Sequence, residues 1–561
     1  MQDFRIHKIG VYPLSKYYIE QLEMMSVFEE YMPKVKGSPL LSECLCVLIQ
    51  NIVVSPKPLY QIQEWLKSYA DGQGEFGYES NKFTDDRLGE TLDELYKADR
   101  QSIMMAISSK AIAVHELNTE VIHNDTTTVT LQGDYENQSE EGVQIKHGYN
   151  KDHRPDCKQI IFGLNVVADG HVPISLHLYD GNTSDDQTHQ VNWNELRSFL
   201  QTTDFCYIAD SKVATKENMG HIAGNEGTFI SILPASRKET TYFKQLLLDA
   251  PEQVIWEYVD TYPNQRKKDE PTIYWSFEGE LTSDGFRLIW IHSDAKARID
   301  EEKRSQKIDK TALALDNLAL KLNRYQLKTK EQIEQVVAKI TKGCTPFFTI
   351  DIKEHKTFIT KKIGRGRPTK NSKYHQVEQV RYSLEYTIET DVIKQYEAQD
   401  GIFPLVTNTG WNAKKILKTY KEQPYLEKRF CTLKSILEVA PVFLKKPKRI
   451  EAMLLLYFFA LMVVSLIERQ IRQSMEQQEI AALPILPQGM KTKSPTINNL
   501  RYLFRDTVMV VLELPQTNQT AFLIKGFDKI HSRVLNLLKI PPKIYQIDDL
   551  NWWKFQEKLI L

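Results

Sequence analysis

A chain of 561 residues is too long for one hydrophobic core and must divide into several domains. Its 42% hydrophobic and 26% charged residues are ordinary for a folded, soluble protein, and a formal charge of -1 leaves any nucleic-acid surface local rather than global. Six scattered cysteines without a C-x-x-C pair exclude an obvious zinc site and fit a reducing compartment. The start, Met1 to Gly10, has no apolar stretch behind a basic end, so a cytoplasmic location is expected.

In chain order, residues 15–115 read as helical, with apolar side chains at helical spacing through 40–53, 60–69 and 88–107. Thr84-Asp85-Asp86 forms an N-cap cluster before the last of these. Residues 1–117 are therefore an expected N-terminal all-α domain, either a DNA-binding or oligomerisation module or a packing domain without a ligand. From Glu120 the texture changes, and 121–131, 159–167, 171–179, 205–210 and 228–233 read as strands, rich in β-branched and aromatic residues. Helical stretches at 189–200 and 213–219 make this an α/β order with an antiparallel start, over a first core segment 118–236.

Residues 237–398 form an expected strand-containing insertion, with strands at 286–291, 347–352 and 357–362 and a charged helical stretch at 295–338. A short strand at 402–406 opens a second core segment, 399–475, and a helical C-terminal region, 476–561, completes the chain. The run 452–467 is apolar for sixteen residues between charged flanks. A spanning helix needs about 20, so a buried core helix is expected and no membrane partner.

Two acidic residues sit where strand propensity disfavours them. Asp125 lies within His123-Asn124-Asp125-Thr126-Thr127-Thr128, and Asp210 closes Tyr207-Ile208-Ala209-Asp210. An Asp side chain there competes with the ladder for hydrogen bonds, so it either caps a turn or has work at the sheet edge. Glu427 follows Pro424, a residue suited to the first turn of a helix. If that helix runs through Leu433, Glu427, Cys431 and Lys434 share one face, as a solvated stripe or as groups for a metal and a phosphate.

Basic residues occur in two places. Lys146, Lys151, Arg154 and Lys158 follow the first strand and could hold DNA beside the acids. Gly364-Arg365-Gly366-Arg367-Pro368, flanked by Lys361, Lys362 and Lys370, is either a solvated loop or a strip suited to an A·T-rich minor groove. Trp275 and Trp290 are core residues or stacking platforms, and His123 reads as structural rather than as a ligand.

Together these residues resemble the DDE-type insertion-sequence transposases with a ribonuclease H-like core, in the group with a Y-(2)-R-(3)-E-(6)-K signature. The signature here reads Tyr420, Gln423, Glu427 and Lys434, with its spacing kept and Arg replaced by Gln. His147 to Asp156 looks like the segment after the family's first Asp, Gly181-Asn182-Thr183-Ser184-Asp185 is similar to its G-N-x-x-D turn, and Ala209-Asp210-Ser211 matches the second-acid strand of a subgroup with an N-terminal helical domain. The resemblance covers essentially the whole chain, and 216 residues separate Asp210 from Glu427, room for the family's usual insertion.

The resemblance implies an α/β fold with a ribonuclease H-like mixed sheet. It implies a bacterial transposase in which Asp125, Asp210 and Glu427 hold two Mg²⁺ ions, with Mn²⁺ able to substitute. Two such ions can activate a water and stabilise the leaving oxygen of a phosphodiester. Lys434 would contact transposon-end phosphate, with Tyr420 and position 423 lining the same path, and Tyr420 acting as a contact rather than a nucleophile. Gln423 lacks the bidentate phosphate clamp of an Arg, for which Arg429 or Lys421 could compensate. The implied partner is double-stranded DNA, as terminal inverted repeats and target, bound by a dimer when the ends are synapsed. A catalytically silent transposase-derived DNA-binding protein and a structure-selective nuclease on the same core remain open. A glycosidase would leave the basic segments without a role.

Overall fold

The computed structural model describes residues 4–35, 37–69, 79–136, 138, 141–184, 188–263, 270–324, 327–367, 373–440, 444–514 and 519–545. Asp185 of the G-N-x-x-D stretch, Pro368 and Lys370 lie outside them. The chain is mixed α/β and divides into two units: residues 1–231, 408–410 and 415–561 form the first, and residues 232–407 and 411–414 the second.

The first unit opens with β1 (Phe4–Lys8), then the helices Tyr12–Gln21, Met24–Tyr31, Leu41–Val54, Asp85–Lys97 and Arg100–Val114. Leu41–Val54 is apolar on nearly every side and buried along almost its whole length, as an interior helix must be. It packs against the 31-residue helix Pro447–Gln477, whose Pro447 needs no backbone donor in the first turn. That helix is long and apolar enough to cross a membrane, and 89% of its most apolar window is buried inside the fold. Its charged flanks are paired: Arg449 grips Asp93 at 2.6–2.8 Å, and Glu451 lies 3.4 Å from Arg100.

The unit's mixed sheet has the order β4-β3-β2-β5-β6, built from β2 (Val121–Leu131), β3 (Lys158–Val167), β4 (Pro173–Tyr179), β5 (Cys206–Ile208) and β6 (Thr228–Ile232). β2, β3 and β4 run antiparallel, whereas β5 pairs parallel to both β2 and β6. The helices His189–Leu200 and Lys216–Gly224 connect the parallel strands, the second capped by the Thr215 hydroxyl. A buried polar cluster joins helix to sheet: Asn165 bonds Asn124, Ser175 and Asn192, and Asn192 bonds the Tyr207 hydroxyl.

In the second unit, β7 (Glu257–Tyr262), β8 (Thr272–Glu278), β9 (Arg287–Ser293) and β12 (Ile402–Thr407) form an antiparallel set in the order β12-β9-β8-β7. Trp290 is buried and stacks on Phe243 at 3.9 Å, so it is a core residue; Trp275 is half-buried beside His292. The helices Asp294–Ala319 and Lys330–Ile340 build a second core around Ile308, Leu315 and Ile333. On that core sits the base of a separate two-stranded sheet, β10 (Phe348–Lys362) and β11 (Tyr374–Ile388).

Neither end of the chain is purely helical, which corrects the expectations of an all-α N-terminal domain and a helical C-terminal region. β13 (Val508–Leu514) and β14 (Gln519–Lys525) form an antiparallel pair, and β1 adds to β13 with Ile6 opposite Val510. A five-residue strand carries too short a pattern to stand out alone. Its partner lies some five hundred residues away, so the pairing is a tertiary event.

Candidate active site

The parallel pairing of β2 with β5 matches Ile122 to Tyr207 and His123 to Ile208. Asp125 and Asp210 each lie two residues past the last pair of this ladder, Asp125 still within β2 and Asp210 beyond the end of β5. Side chains alternate in a strand, so Asp125 shares the face of His123. β5 ends at Ile208, and the Asp210 carboxylate caps the following turn by accepting from the Lys212 amide at 3.0 Å. The Asp210 carbonyl accepts from the Ser231 hydroxyl at 2.7 Å, which ties the turn to β6. Asp210 therefore lies just past the carboxyl end of a parallel strand, where open α/β sheets commonly bind ligands.

Two phenols feel these charges, Tyr207 from both Asp and Tyr420 from Asp210. Burial pushes Tyr207 well above the usual phenol range, and the charges of Asp210 and Asp125 add to the effect. Burial pushes Tyr420 up to about 12, again with a contribution from Asp210. Lys151 lies along the edge of β2 that β5 leaves unpaired. Its ammonium donates to the Thr126 carbonyl at 2.7 Å and stands 3.7 Å from Asp125 Oδ1.

The helix Gln423–Cys431 is fastened to β2 by the residue that departs from the signature. Gln423 Nε2 donates to the Asn124 carbonyl at 2.9 Å, so its Oε1 faces His123 Nδ1 at 2.8 Å. An amide oxygen only accepts, so Nδ1 carries the hydrogen. His123 Nε2 is then the bare nitrogen, buried without a hydrogen-bond partner and 4.0 Å from a Glu422 oxygen. Burial lowers the His123 pKa to about 4, so the ring is neutral. An Arg at 423 has no acceptor for the Nδ1 hydrogen. Gln423 is thus engaged at both ends inside the protein.

Glu427 follows one turn later and is exposed. The helix starts beside His123 and Asn124. Beyond its end, Lys434 donates to Asp152 at 2.7 Å, and Asp152 accepts from Thr130 at 2.9 Å. The chain from Gln423 to Lys434 therefore follows β2. Four helical residues advance about 6 Å, the reach of about two strand residues. The expected i, i+4, i+7 stripe does not persist, because Thr432–Ile436 is a π-helical turn. Its wider winding moves Lys434 off the face of Glu427 and Cys431.

A buried charge network anchors this helix from below. Arg429, expected from the sequence as a substitute for the signature Arg, is only 4% exposed and is committed to the interior. It donates to Glu468 at 2.6 Å and to the carbonyls of Gly170 and His171. Glu468 also accepts from the Ile497 amide and pairs with Arg472. His171 stacks on Tyr425 at 4.5 Å, and Lys428 covers the same ring. Glu468 ends the apolar run of the sequence, and only its burial marks it as a hub. Glu422 was likewise not singled out by spacing; burial raises its carboxyl above the usual range.

The basic residues after the first strand all have partners within the protein. Lys146 pairs with Asp180 at 2.9 Å, Arg154 with Asp156 at 2.8 Å, and Lys158 donates to the Asp134 carbonyl. Arg365 and Arg367 are exposed between β10 and β11. Among the described residues, no three His, Cys, Asp or Glu side chains converge closely enough to hold an ion. Asp125, Asp210 and Glu427 are thus not brought together as a closed three-carboxylate cage among the described residues.

Residues 4–109 match a family described as a domain of unknown function (DUF4277). No curated protein matches the chain. Among solved structures, the chain is similar to a piggyBac transposase synaptic complex with hairpin DNA, determined by cryo-EM, at 8% identity and a TM-score of 0.35. The alignment covers 96% of this chain and 85% of that one. A likeness this distant carries no argument about activity.

Proposed function

We propose that this chain is a DNA transposase that cleaves transposon ends and joins them to target DNA, with Asp125, Asp210 and Glu427 as its divalent-metal ligands. One observation supports the reading: the parallel β2–β5 register, whose last pair, His123 with Ile208, lies two residues before Asp125 and Asp210 in their chains. The donor set suits a hard cation. Mg²⁺ takes oxygen ligands, keeps several waters and binds through one or two carboxylates plus substrate phosphates, so the Asp pair provides a starting site. Such an ion, when bound, would neutralise phosphate charge and make a bound water more acidic.

The chain's own residues have distinct tasks in this reading. Gln423 and neutral His123 hold the Glu427 helix on β2, and the Arg429–Glu468 pair fixes its underside. Lys151 keeps positive charge beside Asp125, where a phosphate would enter, and Lys434 would exchange Asp152 for DNA phosphate. The test is cleavage of duplexes carrying the element's own ends, with Mg²⁺ or Mn²⁺. Glu427→Gln should abolish cutting and leave end binding largely intact; normal cutting by that variant sinks the assignment.

The absence of a closed three-carboxylate cluster among the described residues favours a second reading, a catalytically silent DNA-binding protein derived from a transposase. Wild-type protein that binds ends but cuts none of them, with either metal, would decide for it.

A further inference from the structure

We infer that the β10–β11 hairpin is an arm that seats Arg365 and Arg367 in the minor groove of A·T-rich duplex DNA. The arm is a continuous antiparallel ladder from Phe348 opposite Ile388 to Lys362 opposite Tyr374. Its base packs through the partly buried Ile350, Ile352, Leu384 and Tyr386 against the helical core of the second unit. From Lys353 outward both faces meet solvent, Phe358 being 70% exposed, and this part extends about 30 Å. A bare two-stranded ribbon is marginal in water, so a ribbon of this length is best accounted for by a partner at its far end.

The chemistry of the tip selects the partner. Residues 361–367 bring Lys361, Lys362, Arg365 and Arg367 together with no acidic residue. The acids lower on the ribbon already face lysines, Glu385 with Lys353 and Glu378 with Lys356. Lys362 closes the tip by donating to the carbonyls of Gly366 and Arg367 at 3.0 and 2.8 Å. Gly364 and Gly366 have φ of +89° and +115°, conformations in which a side chain is strained. Arginines thus alternate with residues that leave the backbone bare, and the strip can approach a groove about 6 Å wide.

The two guanidinium groups have no hydrogen-bond or ion-pair partner among the described residues, in contrast to the lysines and arginine beside β2. A narrow A·T-rich minor groove concentrates negative potential and favours arginine. A second copy of the chain is a poorer occupant, because lysines along the ribbon oppose edge pairing and like-charged tips repel.

The inference rests on the reading of the chain as a DNA-acting enzyme only in taking duplex DNA as available, and the test separates the two. Fluorescence anisotropy would follow the full-length chain on A·T-rich and G·C-rich duplexes of about 20 base pairs, over a salt series. Arg365→Ala/Arg367→Ala should bind the A·T-rich duplex about ten- to a hundredfold more weakly and flatten the salt slope by about two. Arg365→Lys/Arg367→Lys should keep most of the slope and lose A·T preference, since an ammonium is held more tightly by water. Unchanged affinity, slope and preference in the alanine pair overturn the arm. So does a loss of self-association, in DNA-free sedimentation, with DNA binding unaltered. If the alanine pair loses DNA while Asp125→Asn still cleaves normally, the metal-site reading fails and the arm stands; the reverse pattern removes the arm alone.

Discussion

The edge of β2 and the tip of the β10–β11 hairpin are both rich in charge and handle it in opposite ways. Along β2, Lys146, Lys151, Arg154, Lys158 and Lys434 are each held by a carboxylate or a carbonyl, and Gln423 spends its amide on His123 and the backbone. At the hairpin tip, Arg365 and Arg367 reach solvent with no partner among the described residues. The first pattern commits charge within the protein, and DNA would have to exchange partners to use the same cations. The second leaves charge uncommitted, at little cost, because exposed guanidinium groups stay hydrated. A basic residue near a candidate site is therefore not by itself a DNA contact; its existing partner has to be counted first.

The largest expected effect tests the acid edge directly. Replacing Asp125 or Asp210 by Asn, or Glu427 by Gln, should lower end cleavage at least about a hundred- to a thousandfold, the scale of losing one preorganised charge-stabilising group. Single-turnover cleavage of a labelled duplex reads this, and wild-type rates in any of the three would break the comparison at its root.

Next in size is the network beneath the helix. Glu468→Ala leaves the buried Arg429 charge without its carboxylate, and should cost about 3–5 kcal/mol of unfolding free energy. A loss below about 1 kcal/mol would mean that the pair is not the anchor described here.

The buried histidines give the acid edge a pH dependence. His123 and His171 have folded-state pKa values lowered to about 4 and about 3, chiefly by burial. Below about 6.5 the unfolded chain binds protons that the fold excludes. Stability is therefore complete above about pH 6.5 and declines as the pH falls towards 4, with a limiting slope near 1.4 kcal/mol per unit for each ring. Urea midpoints measured between pH 7.5 and 5 should fall steadily, and a flat profile would contradict neutral buried rings.

A smaller effect concerns the signature itself. Gln423→Arg restores the family residue but strands the His123 Nδ1 hydrogen, so it should destabilise by about 1–3 kcal/mol and should not tighten end binding. Tighter binding at unchanged stability would show that the position faces DNA after all. Smallest of all, Arg365→Ala/Arg367→Ala should leave the denaturation midpoint within about 0.5 kcal/mol, as for surface changes away from any packed feature.

The sequence by itself determined the features that depend on neighbours in the chain. The β-branched run at 121–131 is a strand, the apolar run at 452–467 lies in a buried helix, and Asp125 and Asp210 stand out as acids against strand propensity. Each is a matter of local backbone preference and periodicity, and a short window contains all of it. The tertiary structure decided the rest. The parallel register of β2 and β5 depends on strands some eighty residues apart, and β1 finds β13 across nearly the whole chain. The π-helical turn after Cys431 breaks a spacing that an ideal α-helix would have kept. The roles of Gln423 and Arg429 follow from partners that no spacing rule names, His123 and Glu468. Which charges are committed and which are available is set by distances between elements, and pattern along a chain does not fix those distances.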